Sequence, residues 1–267
     1  MRVRDIIAAL DSFAPLSIQE DWDNSGLCIG SPDQEVKGVM LGFDCTPALI
    51  DEAVAAGADM VITHHPLIFG GLKKIDPADP VAQAVIKAIR GGVAVYAAHT
   101  CADKVAAGVS GAMARRLGLK NIRVLAPDGM TVVEGAEEES GLGAVGELPE
   151  PLDFAEVTKL VKKAFGLQVV RSSRPLDIPV SRIAMCGGSG SSLIDAAREA
   201  GAQLYLSGDI SYHHFFTPEG FAVMDIGHFE SEVEIVDILF SLLRKNFPNF
   251  AVCLSKKLRE SNPIKYL

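Results

Sequence analysis

Two segments that recur along the chain in the same order constrain the fold more than any single motif. GVMLGFDCTPALIDEAVAAGADMVIT (38–63) and SRIAMCGGSGSSLIDAAREAGAQLYLS (181–207) align without gaps at a constant offset of 144. Leu49-Ile50-Asp51 falls on Leu193-Ile194-Asp195, and Ala56-Gly57-Ala58 falls on Ala200-Gly201-Ala202. Each copy reads strand, turn, helix, strand. In the first, Val39-Met40-Leu41 is the strand, Thr46 is placed to cap a helix opening at Pro47, and Gly57 closes it. Further on, GGVAVYAAHTCAD (91–103) and GFAVMDIGHFESE (220–232) align at an offset of 129, which sets His99 on His228 and Asp103 on Glu232. Ordered recurrence of this kind predicts an α/β protein of two similar domains with mixed sheets, related by internal duplication.

Between the copies, PDGMTVVEGAEEESGLGAVGELPEP (127–151) is acidic and rich in glycine and proline, and it reads as turns and short strands at a boundary. The expected division is a first domain of 1–126 plus 235–267 and a second of 127–234. GLGAVG (141–146) matches the dinucleotide fingerprint formally, but an acidic run precedes it and ELPEP follows, so the required strand and helix are missing. DFAEVTKLVKKAFG (153–166) and EIVDILFSLLRKNF (234–247) have apolar residues at helical spacing.

With 267 residues the chain can bury one large or two medium cores, and 48% hydrophobic with 22% charged residues is ordinary for a folded protein. A net charge of −9 with no basic run opposes DNA binding through phosphates. Cys28, Cys45, Cys101, Cys186 and Cys253 are scattered without C-x-x-C spacing, which fits reduced thiols in a cytoplasm. The N-terminus, MRVRDIIAALDSFAPLS, reads as an amphipathic helix rather than a signal peptide, and no apolar run reaches membrane-spanning length.

The six histidines are unevenly placed. His64, His65, His99 and His228 all lie at or just past the C-terminal ends of expected strands, the edge where open α/β sheets bind ligands. His99 and His228 each have a carboxylate four residues on, Asp103 and Glu232, within reach of a shared ion. Imidazole and carboxylate without thiolate suit zinc, iron or manganese. On a regular strand the adjacent side chains of His64 and His65 would face apart, and Pro66 keeps His65 extended, so the pair suggests two metals rather than one. His213 and His214, in SGDISYHHFF (207–216), either line a pocket and handle protons or open a polar helix. CGGSGSS (186–192) offers Gly188, Ser189 and Gly190 either as an anion cradle for a substrate phosphate or as a tight strand–helix connection.

Together EDWDNSGLCIG (20–30), ITHHPLIFGG (62–71), AHTCAD (98–103), GGSGS (187–191), LSGDISYHH (206–214) and GHFESE (227–232) resemble the signatures of the Nif-three-like family, whose bacterial members are often called GTP cyclohydrolase 1 type 2 homologues. The resemblance covers nearly the whole chain. It implies two intertwined α/β domains, a dinuclear metal centre in the cleft between them and a ring-shaped hexamer. It assigns His64, His65, Asp103, His228 and Glu232 as ligands and sets His99 beside the metals. Where the family usually has AHTNLD this chain has AHTCAD, which keeps His99 and Asp103.

The expectation for function is a cytoplasmic protein with two divalent ions, acting as a metal-dependent hydrolase on a small, possibly nucleotide or phosphoester, substrate. A metal-bridging hydroxide would attack, and His99 or His213 would move protons. The competing expectation is a non-enzymatic protein for metal handling, metal insertion or regulation.

Overall fold

The computed structural model describes residues 1–266. In chain order the first elements are α1 (Val3–Phe13), β1 (Gly26–Ile29), β2 (Gly38–Leu41), α2 (Pro47–Ala55), β3 (Met60–Thr63), α3 (Pro80–Gly91), β4 (Ala94–Ala97), α4 (Thr100–Asp103) and α5 (Val109–Arg116). They are followed by β5 (Lys120–Val133), β6 (Ala136–Leu152), α6 (Phe154–Phe165), β7 (Arg171–Ser172), β8 (Val180–Ser189) and α7 (Ile194–Glu199). The last are β9 (Leu204–Gly208), β10 (Ala222–Asp225), α8 (His228–Glu232), α9 (Glu234–Asn246) and β11 (Ala251–Leu254). Local chemistry sets several boundaries. The Thr46 hydroxyl accepts the Leu49 amide at 3.2 Å ahead of Pro47, and Asp79 and Asp153 cap α3 and α6 in the same way. Gly92 and Gly166 close α3 and α6 with φ of 65° and 69°, a conformation that favours glycine.

The chain divides into two compact units: Met1–Ala102 with Val132–Gly135 and the stretch from Ile235 onward, and Asp103–Thr131 with Ala136–Glu234. The first switch therefore lies between Ala102 and Asp103 instead of between 126 and 127. The reason is α5, which packs on β6 and β8 and draws the chain after Ala102 into the second unit.

Among the described residues the strands form two mixed sheets, so the chain is an α/β protein. The first unit's sheet has the order β1-β4-β3-β2-β11. β11, β2, β3 and β4 run parallel, and β1 runs antiparallel to β4. Every residue of β2, β3 and β4 is buried, as strands covered on both faces require. On one face α2 and α3 pack Leu49, Ile50, Ala53, Val85 and Ala88 against Met40, Val61 and Val95. Thr63 pairs with Ala97, so β3 and β4 end abreast and the residues after them emerge at one edge. Because β1 is antiparallel and Gly26 faces Ala97, the loop before β1 ends at that same edge.

The second unit's sheet has the order β5-β6-β8-β9-β10-β7. β8, β9 and β10 are parallel, like β2, β3 and β4 in the first unit, with Ser207 beside Asp225. Tyr205, Val223, Ala184 and Val145 form its core with Ala197 of α7.

The segment 127–151 differs from expectation. It belongs to two long strands, β5 and β6, joined at Glu134-Gly135, whose φ values of 47° and 86° suit a tight hairpin turn. Its glycines answer to close packing: a Cβ on Gly141 would come within 2.2 Å of the Ala126 carbonyl oxygen, and Gly143 has φ of 76°. GLGAVG thus lies inside a strand, and the chain after it continues as strand up to Leu152.

Candidate metal-binding site

In the first unit His64, His65 and His99 gather at the common edge of β3 and β4, and their ligand-type atoms lie within 4.8 Å of one another. The expectation that His64 and His65 face apart is corrected here: their ring centroids are 5.0 Å apart at 46°. β3 ends at Thr63, and the amides of His64 and His65 both point at the Phe43 carbonyl, at 3.1 and 3.4 Å. The Thr63 hydroxyl donates to the His65 carbonyl at 2.8 Å. The backbone has therefore left the strand, and strand alternation no longer governs the two rings. Phe43 supports both, stacked on His64 at 5.8 Å and edge-on to His65 at 4.8 Å.

Each ring is held at Nδ1 by an oxygen. His64 Nδ1 lies 2.8 Å from the Ala98 carbonyl, which can only accept, so the proton sits on Nδ1. His65 Nδ1 lies 2.8 Å from Asp44 Oδ1, and His99 Nδ1 lies 2.7 Å from Asp23 Oδ1. Asp23 also accepts from the hydroxyls of Ser25 and Thr100, both at 2.6 Å. Burial alone would raise the Asp23 carboxyl, but the hydrogen bonds from His99, Ser25 and Thr100 and the charge of His99 hold it well below the usual carboxylate range. A proton kept on Nδ1 sets the lone pair on Nε2, the arrangement found in histidines that bind metals.

In the second unit His228 opens α8 just after β10, and Glu232 ends it. His228 Nε2 is 3.0 Å from Glu232 Oε2, and its Nδ1 is 2.8 Å from Asp209 Oδ2. A carboxylate oxygen of Asp103 lies within 4.8 Å of one of Glu232. Asp209 has φ of 51°, an uncommon conformation for a residue with a Cβ. Buried Asp225 fixes both neighbouring loops by accepting the Ile210 and Gly227 amides at 2.9 Å, and it pairs with Arg171.

The loop 186–192 brings the sheet close to α8. A Cβ on Gly188 would lie 2.2 Å from Glu232 Oε1, and one on Gly208 would lie 2.7 Å from the His228 backbone. The Gly188 amide donates to Ser231 Oγ and the Gly190 amide to Ser207 Oγ, both at 3.0 Å. Those amides serve the strand–helix connection. His213 and His214 lie in an exposed 3-10 turn, His213 edge-on to Tyr212 and His214 beside Ser211 Oγ at 3.1 Å. Neither joins the metal-capable groups found among the described residues. Burial, and then the charges of Asp103 and Glu232, push the Cys186 thiol well up.

Asp23, Asp44 and Asp209, which hold His99, His65 and His228 at Nδ1, are the residues of this arrangement that sequence reasoning missed. A signal was present, since each lies within three residues of a strand end. At the offset of 144 Asp209 takes the place of His65 and Gly188 that of Asp44.

The donor chemistry fits divalent metal. Oriented imidazoles and carboxylates are ligands for zinc, iron or manganese. His228 Nε2 and Glu232 Oε2, 3.0 Å apart, are close enough that both could serve as donors to one ion.

Comparison with known proteins places the chain in a family. A family model described as Duf34/NIF3 (NGG1p interacting factor 3) matches residues 1–262. A Clostridium acetobutylicum protein named GTP cyclohydrolase 1 type 2 homolog is 34% identical over 234 residues, spanning 87% of this chain and 85% of the relative. Staphylococcus aureus hypothetical protein SA1388 has a similar structure, with a TM-score of 0.89 and 27% identity over 100% of this chain and 99% of that one. A Bacillus cereus protein related to NIF3 shares the fold with a TM-score of 0.90, at 23% identity and with 100% and 99% covered. On the family match along nearly its whole length, supported by relatives above 30% identity, the chain belongs to the Duf34/NIF3 family.

Proposed function

We propose that this protein holds two divalent metal ions through His64, His65, Asp103, His228 and Glu232 and uses them to hydrolyse a small phosphorylated or nucleotide-like substrate. The observation that carries the reading is the group of three imidazoles, each gripped at Nδ1, at one sheet edge. Bound divalent ions supply Lewis acidity toward the electrophile and a nucleophile at neutral pH. Asp44 and Asp209 orient His65 and His228. His99, with its Nδ1 proton held by Asp23, accepts and returns a proton at Nε2. The matching parallel triplets β2-β3-β4 and β8-β9-β10 favour internal duplication as the origin of the two units.

Purified protein should contain about two divalent ions per chain by elemental analysis and hydrolyse a member of a panel of phosphoesters and nucleotides, GTP included. His64→Ala should lose both metal and turnover, and full activity in that variant would overturn the assignment.

One observation favours a second reading, a non-enzymatic metal-handling protein. The Gly188 and Gly190 amides of the loop 186–192 are already bonded, to Ser231 and Ser207, so these two do not face a substrate phosphate. Ions that exchange readily with no turnover across the panel would support this reading over hydrolysis.

A further inference from the structure

EDWDN contributes Asp23 to the histidine group, and Trp22 stands next to Asp23 in the chain. It is the only tryptophan in the chain. Trp22 and Phe69 are each 57% exposed, although large aromatic rings ordinarily gain most from burial. The two rings touch, with centroids 5.8 Å apart at 47°. Both also stand edge-on to His99, Trp22 at 6.1 Å and 74° and Phe69 at 6.2 Å and 73°. Asn24 donates its side-chain amide to the Ile68 carbonyl, tying together the two loops that carry the rings. The aromatic pair is therefore fixed beside the same imidazole that Asp23 holds.

The geometry points to a stacking platform: Trp22 and Phe69 take the nucleobase ring of a small substrate while the rest of that molecule reaches the histidine group. This rests on the reading of that group as the reacting site. Rings in contact at 5.8 Å leave no slot between them, so the base lies on their exposed outer faces. A flat heterocycle gains from stacking on an indole whatever its hydrogen-bonding edge, whereas a bare sugar phosphate has no π-face to stack and gains less there. The occupant is thus defined by its ring.

The test uses purified protein with its metal and the intrinsic fluorescence of Trp22, excited at the red edge of its absorption. AMP, GMP, CMP and UMP are titrated against ribose 5-phosphate, which carries the same phosphate without a base. At least one nucleotide should quench Trp22 saturably and bind at least tenfold more tightly than ribose 5-phosphate. Phe69→Ala, which keeps the fluorophore, and Trp22→Ala, followed by calorimetry, should each weaken nucleotide binding about five- to a hundredfold with metal content unchanged. Equal binding of all probes, no binding of any nucleotide, or unchanged affinity in both variants would overturn the platform. A smaller particle for Trp22→Ala in sedimentation, without base selectivity in the parent, would also overturn it, assigning the patch to contact between copies. Loss of turnover with base binding intact would instead count against the hydrolase reading alone.

Discussion

The oxygens behind the histidines do as much to define the site as the histidines themselves. His65 is oriented at Nδ1 by Asp44 Oδ1, 2.8 Å away. Asp44→Ala should leave the fold intact and weaken metal binding about 10- to 100-fold, measured by chelator competition. The cysteines behave in the opposite manner, as packing groups. Burial pushes the Cys28 thiol up to about 11 from an ordinary 9.0, and it pushes Cys45 and Cys186 further still. A raised value in the folded chain keeps the thiol protonated until the pH passes that value, so Cys28 holds its proton at pH 8. Native protein at pH 8 should therefore react slowly with a thiol-specific reagent at Cys28, Cys45 and Cys186, whereas all five cysteines should react once it is unfolded. Rapid labelling of Cys28 in the native state would contradict this.

At the scale of elements, the ends of parallel strands do the positioning. α8 is only five residues long and has no side-chain cap, so its placement comes from contact with β8 and β9. Gly188 makes that contact possible, with φ of 59° and no room for a Cβ beside Glu232. Gly188→Ala should displace Glu232, lowering stability by about 1–3 kcal/mol in urea unfolding and reducing metal content together. Loss of stability with full metal content would mean that the glycine serves packing alone. Helix and strand existence was largely legible in the sequence: α2 starts at Thr46-Pro47, α6 and α9 follow their apolar spacing, and the N-terminal helix is where its pattern puts it. The hairpin of β5 and β6 was not legible. Its glycines and acidic residues look like loop composition, while its ordering comes from pairing with β8, which is distant in sequence.

At the scale of the whole molecule, the chain carries −9 charges and gathers imidazoles and carboxylates at sheet edges, so bound cations should contribute to stability. A ligand that binds only the folded state raises its stability by mass action. Dialysis against a chelator should lower the thermal midpoint, and adding back zinc or manganese should restore it, as read by scanning calorimetry. An unchanged midpoint after verified metal removal would show that no ion supports the fold. No helix among the described residues is long and apolar enough to cross a membrane.

By itself the sequence determined the α/β class, the start of α2, the strand triplets and the histidines worth watching. Those features rest on local signals, the period of apolar residues and the chemistry of caps and turns. Tertiary structure alone decided that His64 and His65 lie together, because the Phe43 carbonyl that bends the chain belongs to another loop. It alone supplied Asp23 to His99, 76 residues away, since only the antiparallel pairing of β1 with β4 brings that loop to the edge. It alone moved the first unit boundary to Asp103, through the packing of α5. Contacts between residues far apart in sequence leave no periodic trace along the chain, and in this protein they are what turn scattered histidines into a site.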